Sequence, residues 1–199
     1  MANKPLNTEL LDSAIVFAVQ AHAGTERRGK GFPYIVHPME AMAIVSTMTA
    51  DQELLAAAAL HDTVEDTDVT VEELRARFGD RIASLVAQES DEMPEGISEE
   101  ESWHNRKQAG IDRLATVSRE VKMITLGDKL SNMRAIARDY AEKGDELWNL
   151  FHSKDPQEHA WRYRSLAAAL SELRDTAAYQ EFVALIDQVF GKKDSITSC

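Results

Sequence analysis

His61 and Asp62 close an apolar run, Leu54 to Leu60, and Glu65 and Asp66 follow within a turn. Three carboxylates and an imidazole thus crowd into six residues and repel one another unless a counter-charge sits among them. Burying an ionised Asp without a cation, a donor set or a metal costs several kcal/mol or more. Two other positions carry a similar signature. Asp128 falls in line with Val121, Ile124, Asn132 and Ala135 at helical steps, beside a second apolar stripe of Met123, Leu126, Leu130, Met133 and Ala137. His37 ends the segment FPYIVHP. His37, His61, Asp62 and Asp128 make a set of two imidazoles and two carboxylates, which suits Mn²⁺, Fe²⁺ or Zn²⁺ better than Ca²⁺ or Mg²⁺. A five- or six-coordinate ion held this way keeps a position open for water, the requirement for hydrolytic chemistry at neutral pH.

Read singly, each residue has an ordinary alternative. A His-Asp dipeptide also marks a solvated, capped helix end. Asp128 could be satisfied by Lys129, Arg134 or a neighbouring helix, and His37 at a helix start could face solvent or a backbone group. The apolar run before His61 weighs against the first alternative, because an exposed acidic end needs none. Gly127 lets another backbone or a ligand approach Asp128 closely. His22, His104, His152 and His159 lack comparable surroundings and read as ordinary polar residues.

A basic loop is the remaining chemical clue. Arg27, Arg28 and Lys30 crowd GTERRGKGFPY in a chain of net charge −12. Arginine stacks on aromatic bases and grips phosphate bidentately. The loop could be merely solvated, but it runs directly into His37 and so must begin near that residue. Arg106 and Lys107 form a second basic pair beyond the segment Asp91 to Ile97.

The elements that must position these residues are helical nearly throughout. A first helix follows a cap at Asn7 or Thr8, a second spans about Pro38 to Thr49, and a third runs from Asp51 into His61. If that third helix continues, Glu65 shares a face with His61 and Asp66 with Asp62. Thr70 and Glu73 have capping-box spacing, with Gly79 beyond, and Ser98 with Glu101 repeats the box ahead of a helix to about Thr116. Ser118 caps a long helix to about Tyr140. Asp155, Pro156 and Glu158 start one to about Arg174, and the last ends before Gly191. No segment alternates with period two between hairpin turns. The expectation is an all-α bundle of about eight to ten helices, with non-helical stretches at Gly24–Val36 and Asp91–Ile97.

The 199 residues are 44% hydrophobic and fit one domain spanning residues 1–199, with a frayed tail over 192–199. So acidic a surface disfavours nucleic acid, whereas a small anionic substrate requires a local basic pocket. The single cysteine, Cys199, leaves no disulfide framework and suits a reducing cytoplasm. Neither a signal peptide nor a membrane span is legible. Oligomeric state, monomer or homodimer, stays open.

The segments HAGTERRGKGFPYIVHP, LLAAAALHDTVEDT, RFGDRIASLV and LGDKLSNMRAI resemble the hydrolase domain of the RelA/SpoT alarmone enzymes, within the HD-domain phosphohydrolases. The stand-alone small alarmone hydrolases, the metazoan SpoT homologues, are similar in length, and the resemblance covers about residues 8–185. It implies an all-α HD bundle holding one divalent ion, with Mn²⁺ expected, on His37, His61, Asp62 and Asp128. It implies removal of the 3′-pyrophosphate of (p)ppGpp, leaving GDP or GTP and pyrophosphate. Glu65 and Asp66 match the acidic pair that manages the water, and Arg27 the arginine packed on the purine. Asn132 matches a nucleoside contact, Lys107 and Arg106 a phosphate contact, and Tyr163 a tyrosine near the nucleotide. The chain departs from the pattern at two places. Arg28 replaces a lysine, with Gly29-Lys30 shifting the spacing, and Gly127 replaces an alanine. Both departures fall on the expected nucleotide pocket and leave the base open. The same chemistry on (p)ppApp, or on NADPH, is the nearest alternative. An HD nucleotidase or dNTPase lacks the basic loop, and a catalytically idle binding module would not need the intact acidic pair.

Overall fold

Capping residues set where several of the helices begin. Asp51 accepts from the Glu53 amide at 3.0 Å, Thr70 from Glu73 at 3.1 Å and Asp155 from Gln157 at 2.8 Å. Each satisfies one of the orphan donors of a first turn. The computed structural model describes residues 6–89 and 99–192, without the side chains of residues 99–103 and 106. The chain is an all-α bundle. The helices are α1 (Glu9–Ala21), α2 (Val36–Val45), α3 (Gln52–Leu60), α4 (Thr63–Asp66), α5 (Val71–Phe78), α6 (Asp80–Glu89), α7 (Glu99–Arg113), α8 (Arg119–Lys143), α9 (Pro156–Ala169) and α10 (Ala177–Phe190). No strand occurs among the described residues, apart from an isolated bridge between Glu26 and Pro33.

Several helix ends differ from the periodic pattern. α2 begins at Val36 and stops at Val45, short of Thr49, as the chain turns toward the Asp51 cap. α9 ends at Ala169, because Leu170 leaves helical geometry (ψ 8°) and a 3-10 turn, Ser171–Leu173, carries the chain to the Thr176 cap of α10. Ser98, the Asp91–Ile97 segment and residues 193–199 lie outside the described residues.

The chain divides into two compact units: Met1–Met93 with Val117–Asp128, and Pro94–Thr116 with Lys129–Cys199. In the first unit α3 packs against α1, α2 and α6. Ala56 to Leu60 are wholly buried, so this helix is apolar on all sides because it is central. Full burial of a side chain such as Leu60 or Leu74 stabilises by roughly 1.5–3 kcal/mol over exposure. Arg81 on α6 bonds Asp51 at 2.5 Å, Glu120 at 2.7 Å and also Glu53, tying the starts of α3 and α8 to α6. That clamp fixes the two helices whose later turns carry His61 and Asp128.

In the second unit α9 packs against α7 and α10. Trp148 stacks on Phe190 and on the buried His159, and Arg134 forks onto Glu181 at 2.6 and 2.7 Å. No helix among the described residues is long and apolar enough to cross a membrane.

Candidate metal centre

The helical run into His61 breaks at the His61-Asp62 pair. α3 ends at Leu60, Asp62 turns with ψ −5°, and α4 resumes at Thr63. The Asp66 amide still reaches the Asp62 carbonyl at 2.9 Å, so Asp66 stays one turn beyond Asp62 despite the break. Nδ1 of His61 lies 2.8 Å from the Ala58 carbonyl, which only accepts; the ring proton therefore sits on Nδ1. The Nε2 lone pair is left facing inward. It is buried without a hydrogen-bond partner, 3.1 Å from Asp62 Oδ2 and 3.9 Å from Asp128 Oδ1.

His37, at the start of α2, completes the cluster. Its Nε2 lies 3.1 Å from Asp128 Oδ1 and 3.4 Å from Asp62 Oδ2. All four residues are buried. A lone pair turned toward carboxylate oxygens in a buried site is repulsive unless a cation sits between them. The ligand atoms of His37, His61 and Asp128 lie within 4.8 Å of one another, near the span of donors about 2.1 Å from one ion. The donor set and the orphaned Nε2 fit a divalent metal. Without an ion a proton takes that place. Burial opposes charge on His61, but Asp62, Asp128 and the buried Glu89 outweigh it and hold the imidazolium well above its usual value, to about 10. Burial likewise opposes the Asp62 charge, yet His61 keeps that carboxyl below its usual range.

The loop ahead of α2 is tightly tied rather than loose. The Arg27 amide bonds the Phe32 carbonyl at 2.9 Å, the Tyr34 amide bonds Thr25 at 2.8 Å, and the Gly31 amide bonds Glu26 Oε1 at 2.9 Å. Gly29 and Gly31 take φ of +69° and +71°, which a side chain would strain. The fold of the loop sets the Arg27 guanidinium 5.1 Å over the Tyr34 ring, while Arg28 is exposed and Lys30 half-buried.

Tyr34 and His22 are the residues that sequence reasoning missed. The Tyr34 hydroxyl donates to Asp62 Oδ2 at 2.8 Å. Burial, Asp62 and a hydrogen bond to Asp66 push its ionisation far above the usual tyrosine value, so it remains a neutral donor. His22, read as an ordinary polar residue, is buried at 2% exposure, its ring 5.0 Å from that of Tyr34. Neither of its nitrogens has a hydrogen-bond partner, and burial lowers its pKa, outweighing the opposing pull of Asp62 and Asp66. Tyr34 was legible only as the aromatic three residues before His37. Nothing local marked His22, whose burial comes from helix packing. Of the other three histidines set aside, His159 is also buried, while His104 and His152 are exposed.

Glu65 and Asp66 are exposed on α4. The first unit thus gathers the four candidate ligands, the acidic pair and the basic loop. The second contains Lys107, Asn132 and Tyr163. Asn132 is half-buried on α8, four residues past Asp128, and Tyr163 is buried with its ring against Phe182 and Phe190. The Arg106 side chain lies outside the described residues.

Gly127 faces the backbone of α2. A Cβ there would stand 2.8 Å from the Ala41 carbonyl oxygen and 2.8 Å from Val45 Cγ2. Of the two close approaches that this glycine allows, the backbone one occurs: it sets how closely α8 approaches α2. His37, Ala41 and Val45 share one face of α2, so the contact also sets the gap between His37 and Asp128. Gly127→Ala is expected to destabilise the protein by about 1–3 kcal/mol, as overpacking does, and to weaken metal binding roughly tenfold. Val45→Ala should rescue it only in part, because the carbonyl clash remains. Thermal melts and metal titrations check both.

Residues 14–157 match the family described as HD domain. A guanosine-3′,5′-bis(diphosphate) 3′-pyrophosphohydrolase from Aquifex aeolicus is 34% identical over 141 residues, covering 68% of this chain and 19% of the relative. One from Vibrio cholerae is 32% identical over 190 residues, covering 91% and 26%. The chain therefore spans about a fifth to a quarter of the length of these relatives. Among solved structures, a metazoan SpoT orthologue described as hydrolysing ppGpp superposes with a TM-score of 0.74 at 22% identity, over 94% of this chain and 99% of that one. At that identity the likeness speaks for the fold alone.

Proposed function

The chain belongs to the HD-domain family, and from that membership we propose that it is a Mn²⁺-dependent alarmone hydrolase that removes the 3′-pyrophosphate of (p)ppGpp, as a single domain in the cytoplasm. The observation that carries this reading is the buried His37, His61, Asp62 and Asp128 cluster with an inward, unpartnered Nε2. Relatives that bear the pyrophosphohydrolase name support it. A divalent ion on these residues supplies Lewis acidity and a more acidic water. The chain's own groups do the rest. Glu65 and Asp66 orient the water that attacks phosphorus and take its proton, and the 3′-oxygen leaves, gaining one. Arg27 stacks on the purine, with Arg28 and Lys30 beside the phosphates. Asn132 holds the nucleoside, Lys107 and Arg106 neutralise phosphate, and Tyr163 borders the nucleotide.

A second reading keeps the chemistry and changes the base, to (p)ppApp or to NADPH. It is favoured by the loop, where Gly29 and Gly31 both take positive φ around Lys30. The test is turnover of ppGpp, pppGpp, ppApp and NADPH by protein of known metal content with Mn²⁺, products separated by anion exchange. Release of GDP and pyrophosphate from ppGpp is expected. A higher kcat/KM on ppApp or NADPH selects the second reading, and no turnover of any of them overturns both.

A further inference from the structure

We propose that Tyr34 is a positioning residue that couples the nucleotide clamp to the metal centre, its hydroxyl fixing Asp62 while its ring carries Arg27. The inference rests on the function proposed above for its kinetic half only. Asp62 follows the last turn of α3, where the chain bends, and it caps no amide of α4. The described partner that orients its carboxylate from outside the histidine cluster is the Tyr34 hydroxyl at 2.8 Å. The phenol proton, on which Asp66 also draws, points at Asp62 and holds Oδ2 against the two Nε2 atoms, 3.1 and 3.4 Å away. Hydrogen bonds of this kind to ligand carboxylates orient the ligand and raise metal affinity.

The ring is held as firmly as the hydroxyl. The Tyr34 amide is tied to Thr25, His22 packs against the ring at 5.0 Å, and the His37 ring meets it edge-on at 5.9 Å. Arg27 lies over this ring at 5.1 Å, in cation–π range. A purine stacked on Arg27 therefore bears, through one rigid side chain, on the carboxylate of the metal site. Seating the base and aligning the ligand become one event.

Tyr34→Phe separates the two halves, because it keeps the ring and removes the proton. Mn²⁺ affinity, measured by equilibrium dialysis without nucleotide, is expected to fall roughly tenfold. kcat should fall comparably while KM stays within about twofold. Tyr34→Leu removes the platform too and should raise KM by roughly three- to tenfold as well. Circular dichroism establishes folding, and Tyr34→Met replaces leucine if that variant unfolds. Wild-type Mn²⁺ affinity in Tyr34→Phe overturns the fixing of Asp62. Equal KM in the phenylalanine and leucine or methionine variants overturns the platform. The dialysis arm needs no substrate, so a wild-type protein that turns over no alarmone sinks the proposed function and leaves this test standing.

Discussion

Asp128→Asn is expected to strip the metal from the protein and to lower turnover by roughly three orders of magnitude. Asp128 Oδ1 lies 3.1 Å from His37 Nε2 and 3.9 Å from that of His61, so one oxygen serves both imidazoles. An amide of the same shape keeps the packing but presents a neutral oxygen or, flipped, an N–H donor. Lewis-acid stabilisation worth several kcal/mol goes with the ion, and about 4 kcal/mol is a thousandfold in rate. Metal analysis beside turnover checks it: a variant with full metal and near-native rate would remove Asp128 from the ligand set. Chelation of the wild type should reproduce the loss, and added Mn²⁺ should reverse it in the wild type only.

The same geometry predicts how metal binding depends on pH. In the metal-free chain the His61 pKa is raised, so the stability it contributes is complete below the unfolded value near 6.5 and is lost as pH rises through about 10. A cation takes the place of that proton. Its affinity should therefore climb across the same window, readable from Mn²⁺ titrations between pH 6 and 9.

Glu65→Gln with Asp66→Asn should abolish most turnover, by roughly a hundred- to ten-thousandfold, while leaving metal content unchanged. Both side chains are exposed on α4, one turn past the candidate ligands His61 and Asp62. Gln and Asn keep shape and hydrogen bonding but take no proton, so the loss should fall on kcat rather than on binding. Near-native activity in the double variant would refute the assigned role. Loss of the metal would instead make the pair part of the ion's support.

Much of the helical order was readable from the chain. Caps at Asp51, Thr70 and Asp155 are local chemistry, and Leu54 to Leu60 is apolar on every side because nothing polar can face any neighbour of a central helix. Two helices stop short of the periodic pattern, at Val45 rather than Thr49 and at Ala169 rather than Arg174, because tight turns carry the chain to the next caps, Asp51 and Thr176. The position of the break between α3 and α4 is not legible either, since His61 and Asp62 are both compatible with a continuing helix and only Asp62 departs from it, at ψ −5°.

The His61-Asp62 pair, its apolar approach and the candidates His37 and Asp128 were determined by the sequence alone, because residue type and helical spacing are local properties. What the tertiary structure decided is distance. It brings His37 and Asp128, 91 positions apart in the numbering of the chain, to 3.1 Å. It turns Gly127 toward α2 and buries His22 against Tyr34. It also hands the Tyr34 proton to Asp62. These are contacts between elements, and no pattern along one helix records which neighbour it will meet.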